Sequence, residues 1–239
     1  MKNSPLIHGT LIKRFKRFLA TIKLDNGKVI TATCPNTGSM RSCSEPGSPV
    51  CLSTNDNPNL KYHYTWELIY ANDTWIGINT QLPNKLIFRA VKKGQIPELS
   101  GYTDFRKEVK YGENSRLDLL LSKASTRCYV EIKNVTLVEE GVARFPDAVT
   151  ERGTKHLHEL MKIVADGQRA VMFYLVQRND AKLFRPADDI DPVYAATLRE
   201  AVGKGVEILV YQADVSVEEI NLGKPLPYDL EPSTTTTVS

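Results

Sequence analysis

Apolar residues of the first third of the chain fall at every second position. From Phe18 the set Phe18, Ala20, Ile22 and Leu24 alternates with Leu19, Thr21 and Lys23, stops at Asp25-Asn26-Gly27, and resumes as Val29-Ile30-Thr31-Ala32-Thr33. Period-two alternation turns one set of side chains to one face, and Asn-Gly suits the positive φ of a tight turn, so the stretch predicts a β-hairpin with Phe18 in the core. Further short strands are expected at Val50 to Ser53, Tyr62 to Tyr70 and Thr74 to Asn79, separated by turns such as Glu45-Pro46-Gly47 and Asn57-Pro58-Asn59. Several short strands at close intervals predict a small barrel of OB-like type.

After Leu82-Pro83-Asn84 the period lengthens, with Leu86, Ala90 and Val91 at helical spacing up to Gly94. Strands at Phe105 to Tyr111, Leu117 to Leu121 and Cys128 to Lys133 have short connections and predict an antiparallel meander. Leu157, Leu160, Met161 and Val164 mark one buried face of a helix that Gly167 ends. The unbroken apolar run Ala170 to Val176 predicts a central strand buried on both faces. Asp191 as N-cap with Pro192 at the first helical position opens another helix, and Val206 to Tyr211 forms a last strand. The second half thus reads αβββαβαβ, and the fold class is α/β (α+β). The expected division is an OB-like domain over 1–83, an α/β domain over 84–230 and a disordered tail over 231–239.

Composition changes this picture little. With 41% hydrophobic and 25% charged residues the chain belongs with globular proteins, and it holds no apolar run near the roughly 20 residues that span a bilayer. The net charge of +3 is too small to point to a polyanion, but its distribution is uneven. Lys13, Arg14, Lys16, Arg17, Lys23 and Lys28 are opposed in their segment only by Asp25, whereas Asp188 to Asp191 is acidic. No signal-peptide pattern opens the chain, so Cys34, Cys43, Cys51 and Cys128 are expected as reduced thiols in the cytoplasm. They lack the short paired spacing of a zinc site. No P-loop, dinucleotide glycine pattern or Gly-x-Ser-x-Gly elbow is present.

The chemistry lies in the meander. Glu131 and Lys133 are two apart on a strand and share a face, while Ile132 points the other way. Asp118 interrupts the apolar Leu117-Leu119-Leu120-Leu121, where burying a carboxylate is costly unless a cation or donors compensate it. If the two strands pair, Asp118 and Glu131 can share a hard divalent cation such as magnesium, with Lys133 offsetting charge on a phosphate. An ordinary salt bridge on a half-exposed sheet is the competing reading.

The chain resembles the sugar fermentation stimulation protein A (SfsA) family. The resemblance is carried by Asn36-Thr37-Gly38-Ser39-Met40, Gly77-Ile78-Asn79-Thr80 with Pro83-Asn84, Glu108-Val109-Lys110-Tyr111-Gly112, Ser115-Arg116-Leu117-Asp118-Leu119-Leu120-Leu121, Tyr129-Val130-Glu131-Ile132-Lys133-Asn134-Val135-Thr136-Leu137, Phe145-Pro146-Asp147-Ala148-Val149-Thr150 and Arg152-Gly153-Thr154-Lys155-His156-Leu157. It runs over almost the whole chain except the threonine-rich tail. It implies an OB-like domain followed by a PD-(D/E)xK nuclease-like αβββαβ domain, with Asp118, Glu131 and Lys133 at the catalytic positions, Asp118 and Glu131 as metal ligands, and magnesium as the cofactor. Leu117 stands where that motif has its proline. It also implies DNA binding, without sequence preference, linked to regulation of sugar and particularly maltose metabolism.

Other residues join as candidates. Glu108 offers a third carboxylate, against a surface position beside Lys107 and Lys110. Asp147 reads as a helix cap. Arg152, Lys155 and His156 open the helix, where cations and the N-terminal dipole favour phosphate, and Arg116 flanks the Asp118 strand as a phosphate clamp. In the first domain Lys13, Arg14, Lys16 and Arg17 interleave with Phe15 and Phe18, cations for phosphates and rings for bases. Asn36 to Ser39, followed by Arg41, suits either an anion-binding turn or a purely structural one. Two functions follow as expectations: a sequence-independent DNA-binding regulator, or a magnesium-dependent phosphodiesterase acting on DNA or RNA.

Overall fold

The computed structural model describes residues 5–111 and 115–232. The first half forms strands β1 (Ile7–Phe15), β2 (Leu19–Leu24), β3 (Val29–Thr33), β4 (Pro49–Thr54), β5 (Tyr64–Ala71) and β6 (Thr74–Gly77). They pair in the order β3-β2-β1-β4-β5-β6, and a parallel contact of Thr33 with Thr65 joins β3 to β5 and closes the first five into a barrel. The closure is local chemistry: the Thr33 hydroxyl donates to the Tyr64 carbonyl at 3.2 Å and stands 3.1 Å from the Thr65 hydroxyl. Leu11, Ala20, Ile22, Leu24, Val50, Leu52 and the fully buried Trp66 fill the interior. This is the expected OB domain.

One strand of this domain gives no sign in the pattern, and one expectation about the hairpin needs correction. The alternation conceals β1, because a register shift between Leu11 and Lys13 breaks it and leaves Ile12 exposed. Phe18 is not core: the ladder ends at Phe15 and Leu19, so Phe18 falls in the connecting turn and is 52% exposed.

The second half begins with α1 (Leu82–Lys92), then the meander β7 (Asp104–Tyr111), β8 (Ser115–Lys123) and β9 (Thr126–Val135). Two short strands, β10 (Leu137–Glu139) and β11 (Val142–Phe145), precede α2 (Glu151–Ala165). Then come β12 (Arg169–Val176), β13 (Leu183–Pro186), α3 (Pro192–Gly203), β14 (Glu207–Val215) and β15 (Ile220–Pro225). The main sheet has the order β15-β14-β12-β9-β8-β7, with β12 central and buried, as its apolar sequence predicts, and parallel to both neighbours. β10, β11 and β13 form a small second sheet, and these three, with β15, are too short or too mixed in pattern to be read from sequence.

One face of the main sheet packs against α1 through Leu86, Ile87, Ala90 and Val91, and the other against α2 and α3 through Leu157, Leu160, Leu198 and Ala201. Asp191 caps α3 by accepting the Tyr194 N–H at 3.0 Å, and its other oxygen accepts the Thr150 N–H at 2.8 Å. Thr150, not Asp147, caps α2, accepting the Gly153 N–H at 3.0 Å. No helix among the described residues is long and apolar enough to cross a membrane. Most of the expected disordered tail, residues 233–239, lies outside the described residues.

The two halves are bolted together. Gly77 donates its N–H to the Gln177 carbonyl at 2.9 Å, and a Cβ at Gly77 would come within 2.6 Å of the Gln177 side-chain oxygen and force that side chain to shift. Arg178 is fully buried, with a bidentate pair to Asp180 at 2.6 Å and bonds to the Ser42 hydroxyl at 3.1 Å and the Thr136 carbonyl at 3.0 Å.

Candidate metal centre and nucleic-acid interface

Residues two apart on a strand normally share a face. In β8, Leu119 and Leu121 pack in the core under α1, yet Leu117 packs in the core under α2. The strand therefore changes face at Asp118. Its neighbour β7 does the same: Lys107 pairs with Leu119 and Val109 with Leu117, and Glu108 between them has a φ of +52°. The ladder between β8 and β9 stops at Leu119 and Val130, so β8 and β9 fork at this point.

Asp118 stands in the fork. One oxygen accepts the Ile132 N–H at 2.8 Å, the other the Asn84 side-chain amide of α1 at 2.6 Å. Burial, then the nearby charge of Glu131, push its carboxyl up to about 6, only partly offset by those donors and Lys133. Glu131 is buried on β9. Burial alone would raise its pKa, but His156 and Lys133 outweigh that and hold it below the usual carboxylate range. The Lys133 ammonium donates to Glu131 Oε1 at 2.7 Å, and His156 Nδ1 bonds to the same oxygen. Glu131 Oε2 is buried without a hydrogen-bond partner. An unpartnered carboxylate oxygen beside a second carboxylate is a place where a cation lowers the energy.

His156, which the sequence leaves ambiguous beside Arg152 and Lys155, is buried and turned onto Glu131, 3.3 Å from Lys133 Nζ. A signal was present, since Gly153, His156, Leu157 and Leu160 keep the spacing of the buried stripe. Asn84 stands out in the sequence only as part of the Pro83-Asn84 motif. Its role depends on where α1 lands, which local sequence does not encode.

The remaining candidates are spread more widely. Arg152 and Lys155 are exposed near the start of α2. Arg116 is exposed on β8, 4.0 Å from Glu108, whose carboxylate is equally exposed and turned to that arginine. Lys13, Lys16 and Arg17 are exposed at the β1–β2 hairpin. Arg14 is otherwise employed: its guanidinium donates to the carbonyls of Asn36 at 2.9 Å, Gly38 at 2.8 Å and Ser39 at 3.0 Å, which removes it as a phosphate contact. The turn it holds does bind an anion, but an internal one, because Asp147 accepts the Met40 N–H at 3.2 Å and the Ser39 hydroxyl at 3.3 Å. All four cysteines are buried free thiols. Among the described residues, no three His, Cys, Asp or Glu side chains converge to hold a metal, so the protein's own donors at the fork are two carboxylates.

Residues 12–78 match the model described as the SfsA N-terminal OB domain, and residues 81–219 the one described as the sugar fermentation stimulation protein RE domain. The chain belongs to the SfsA family. A sugar fermentation stimulation protein homolog of Geobacter sulfurreducens is 57% identical over 223 residues, covering 93% of this chain and 96% of the relative. One from Desulfotalea psychrophila is 52% identical, covering 86% and 87%. A solved structure, described as that of Pyrococcus furiosus SfsA in complex with Ca2+, has a TM-score of 0.88 at 28% identity and covers 96% of this chain and 98% of its own. An SfsA fold of two fused domains is thus common to the chain and that relative.

Proposed function

We propose that this SfsA protein binds DNA without reading its sequence and carries at Asp118 and Glu131 a divalent-cation site of PD-(D/E)xK nuclease type for phosphodiester hydrolysis. The observation that carries the reading is the buried, unpartnered Oε2 of Glu131 beside Asp118 at the β8–β9 fork. The residues fit a hard ion: two carboxylates leave room for the waters and phosphate oxygens that magnesium retains in its shell. A family relative whose structure is described as a Ca2+ complex adds support, since calcium also takes oxygen ligands.

When bound, the ion supplies Lewis-acid polarisation of a phosphoryl oxygen and a water of lowered pKa. The chain's residues do the rest. Asn84 and the Ile132 N–H fix the Asp118 carboxylate, leaving it little rotational freedom. His156 fixes Glu131 from the side of α2, so that Oε2 is the oxygen turned to a ligand. Lys133, 2.7 Å from Glu131, brings a positive charge to offset charge developing on the phosphate. Exposed Arg116, Arg152, Lys155, Lys13, Lys16 and Arg17 supply cations for backbone phosphates. A regulatory role in sugar metabolism then acts through DNA binding.

Calorimetric titration of the full chain with magnesium or manganese tests the site. Binding to the wild type, weakened more than about tenfold in Asp118→Asn, is expected. Equal affinity in both proteins, or none in the wild type, would sink the reading.

A further inference from the structure

The β1–β2 turn is built as stability alone would not build it. Its connection is Lys16-Arg17-Phe18, with φ of 51° at Lys16 and 63° at Arg17. Left-handed backbone costs a non-glycine residue roughly 1–2 kcal/mol, whereas Gly or Asn fills such positions cheaply. The chain instead places two exposed cations there, followed by a phenylalanine that is 52% exposed.

The turn is held firmly. The Phe18 carbonyl accepts the Cys34 N–H at 2.8 Å, and Arg14 Nε donates to the Arg17 carbonyl at 3.1 Å while its other nitrogens grip the 36–39 turn. Exposure of the ring is therefore a fixed feature, not a fraying end. A surface hollow of about 370 Å3 is lined by Lys13, Phe15, Lys16 and Arg17. Residues 36–38 of that turn also line a cleft of about 270 Å3, together with residues 134–136 and with Arg144, Phe145 and Asp147.

An exposed ring that follows two exposed cations has a specific complement. In a duplex the bases are stacked within the helix and offer no free face, whereas in a single strand each base can stack on an aromatic side chain while cations follow the phosphates. The geometry points to an unpaired nucleic-acid strand as the polymer this hairpin holds, with Phe18 stacking on a base and Lys13, Lys16 and Arg17 neutralising adjacent phosphates. This deepens the nucleic-acid reading above and is independent of its metal chemistry.

The test is fluorescence anisotropy of the full chain in EDTA with labelled oligo(dT), oligo(U) and a duplex of equal length. The wild type binds the single strands more tightly. Phe18→Ala weakens single-strand binding roughly 5- to 100-fold, as loss of one stacked base implies, and leaves duplex binding unchanged, while Phe18→Trp restores it. Lys16→Gln weakens every complex and flattens the salt dependence. Because Phe18 lies outside the core, an unchanged melting curve for Phe18→Ala separates stacking from folding. Tighter duplex binding, or a Phe18→Ala effect that is nil or equal on both forms, overturns this inference but not DNA binding; absence of binding to all three probes overturns both.

Discussion

The Ile132 N–H donates to Asp118 at 2.8 Å, so a side chain completes what the β8–β9 ladder has stopped providing. The bond holds a carboxylate in a buried fork beside Glu131, and burial with that neighbour pushes Asp118 up to about 6. The folded protein thus holds this proton more tightly than the unfolded chain between about pH 4 and 6, and stability falls as pH rises through that window. Above it, the charged Asp118 is a standing cost. In EDTA at pH 7, Asp118→Asn is expected to raise stability by about 2–3 kcal/mol, and the gain should vanish near pH 4. Urea unfolding at the two pH values checks this; a loss at pH 7 goes against it.

His156 holds Glu131 in the opposite sense. With His156 and Lys133 in place, Glu131 contributes stability above its unfolded pKa of about 4.3 that is lost as pH falls through its lower folded value. His156→Ala leaves the buried carboxylate with Lys133 alone among these partners. The expected cost at pH 7 is about 1–3 kcal/mol, with the acid-side loss of stability moved to higher pH. A urea series from pH 3 to 7 reads both, and an unaltered pH profile counts against the contact.

How much of this was legible in the sequence depends on the range of the interaction. Glu131 and Lys133 were readable because two residues on one strand must share a face, and Asp118 because a carboxylate within an apolar strand is costly. His156 lies 25 residues from Glu131 and on another element, so only the depth of the buried stripe on α2 hinted at it. Asn84, 34 residues from Asp118, gave no local signal. Phe18 misled for a related reason: alternation gives the face of a residue in a strand, but not where the strand ends. Arg14 and Asp147 were both assigned by local context, phosphate contact and helix cap, while their partners lie in the 36–40 turn.

That turn and Arg178 join the two domains. Arg178→Ala strands the Asp180 carboxylate and opens the contact to Ser42, so a loss of about 3–5 kcal/mol is expected, with Arg178→Lys unable to restore the forked geometry. Thermal and urea unfolding measure it. A loss below about 1 kcal/mol would mean that the domains do not depend on this residue.

Glu108 separates proximity in sequence from membership of the site. Its carboxylate is exposed and turned to Arg116 at 4.0 Å. Glu108→Gln should leave magnesium affinity within about twofold, whereas a tenfold loss would make it a third ligand after all.

Cleavage reads the Asp118–Glu131 site most directly. Labelled DNA and RNA are incubated with the purified full chain and magnesium or manganese, beside Asp118→Ala prepared identically. Divalent-dependent cleavage by the wild type, abolished in the variant, is expected. No cleavage by the wild type, or equal cleavage by both proteins, would contradict it.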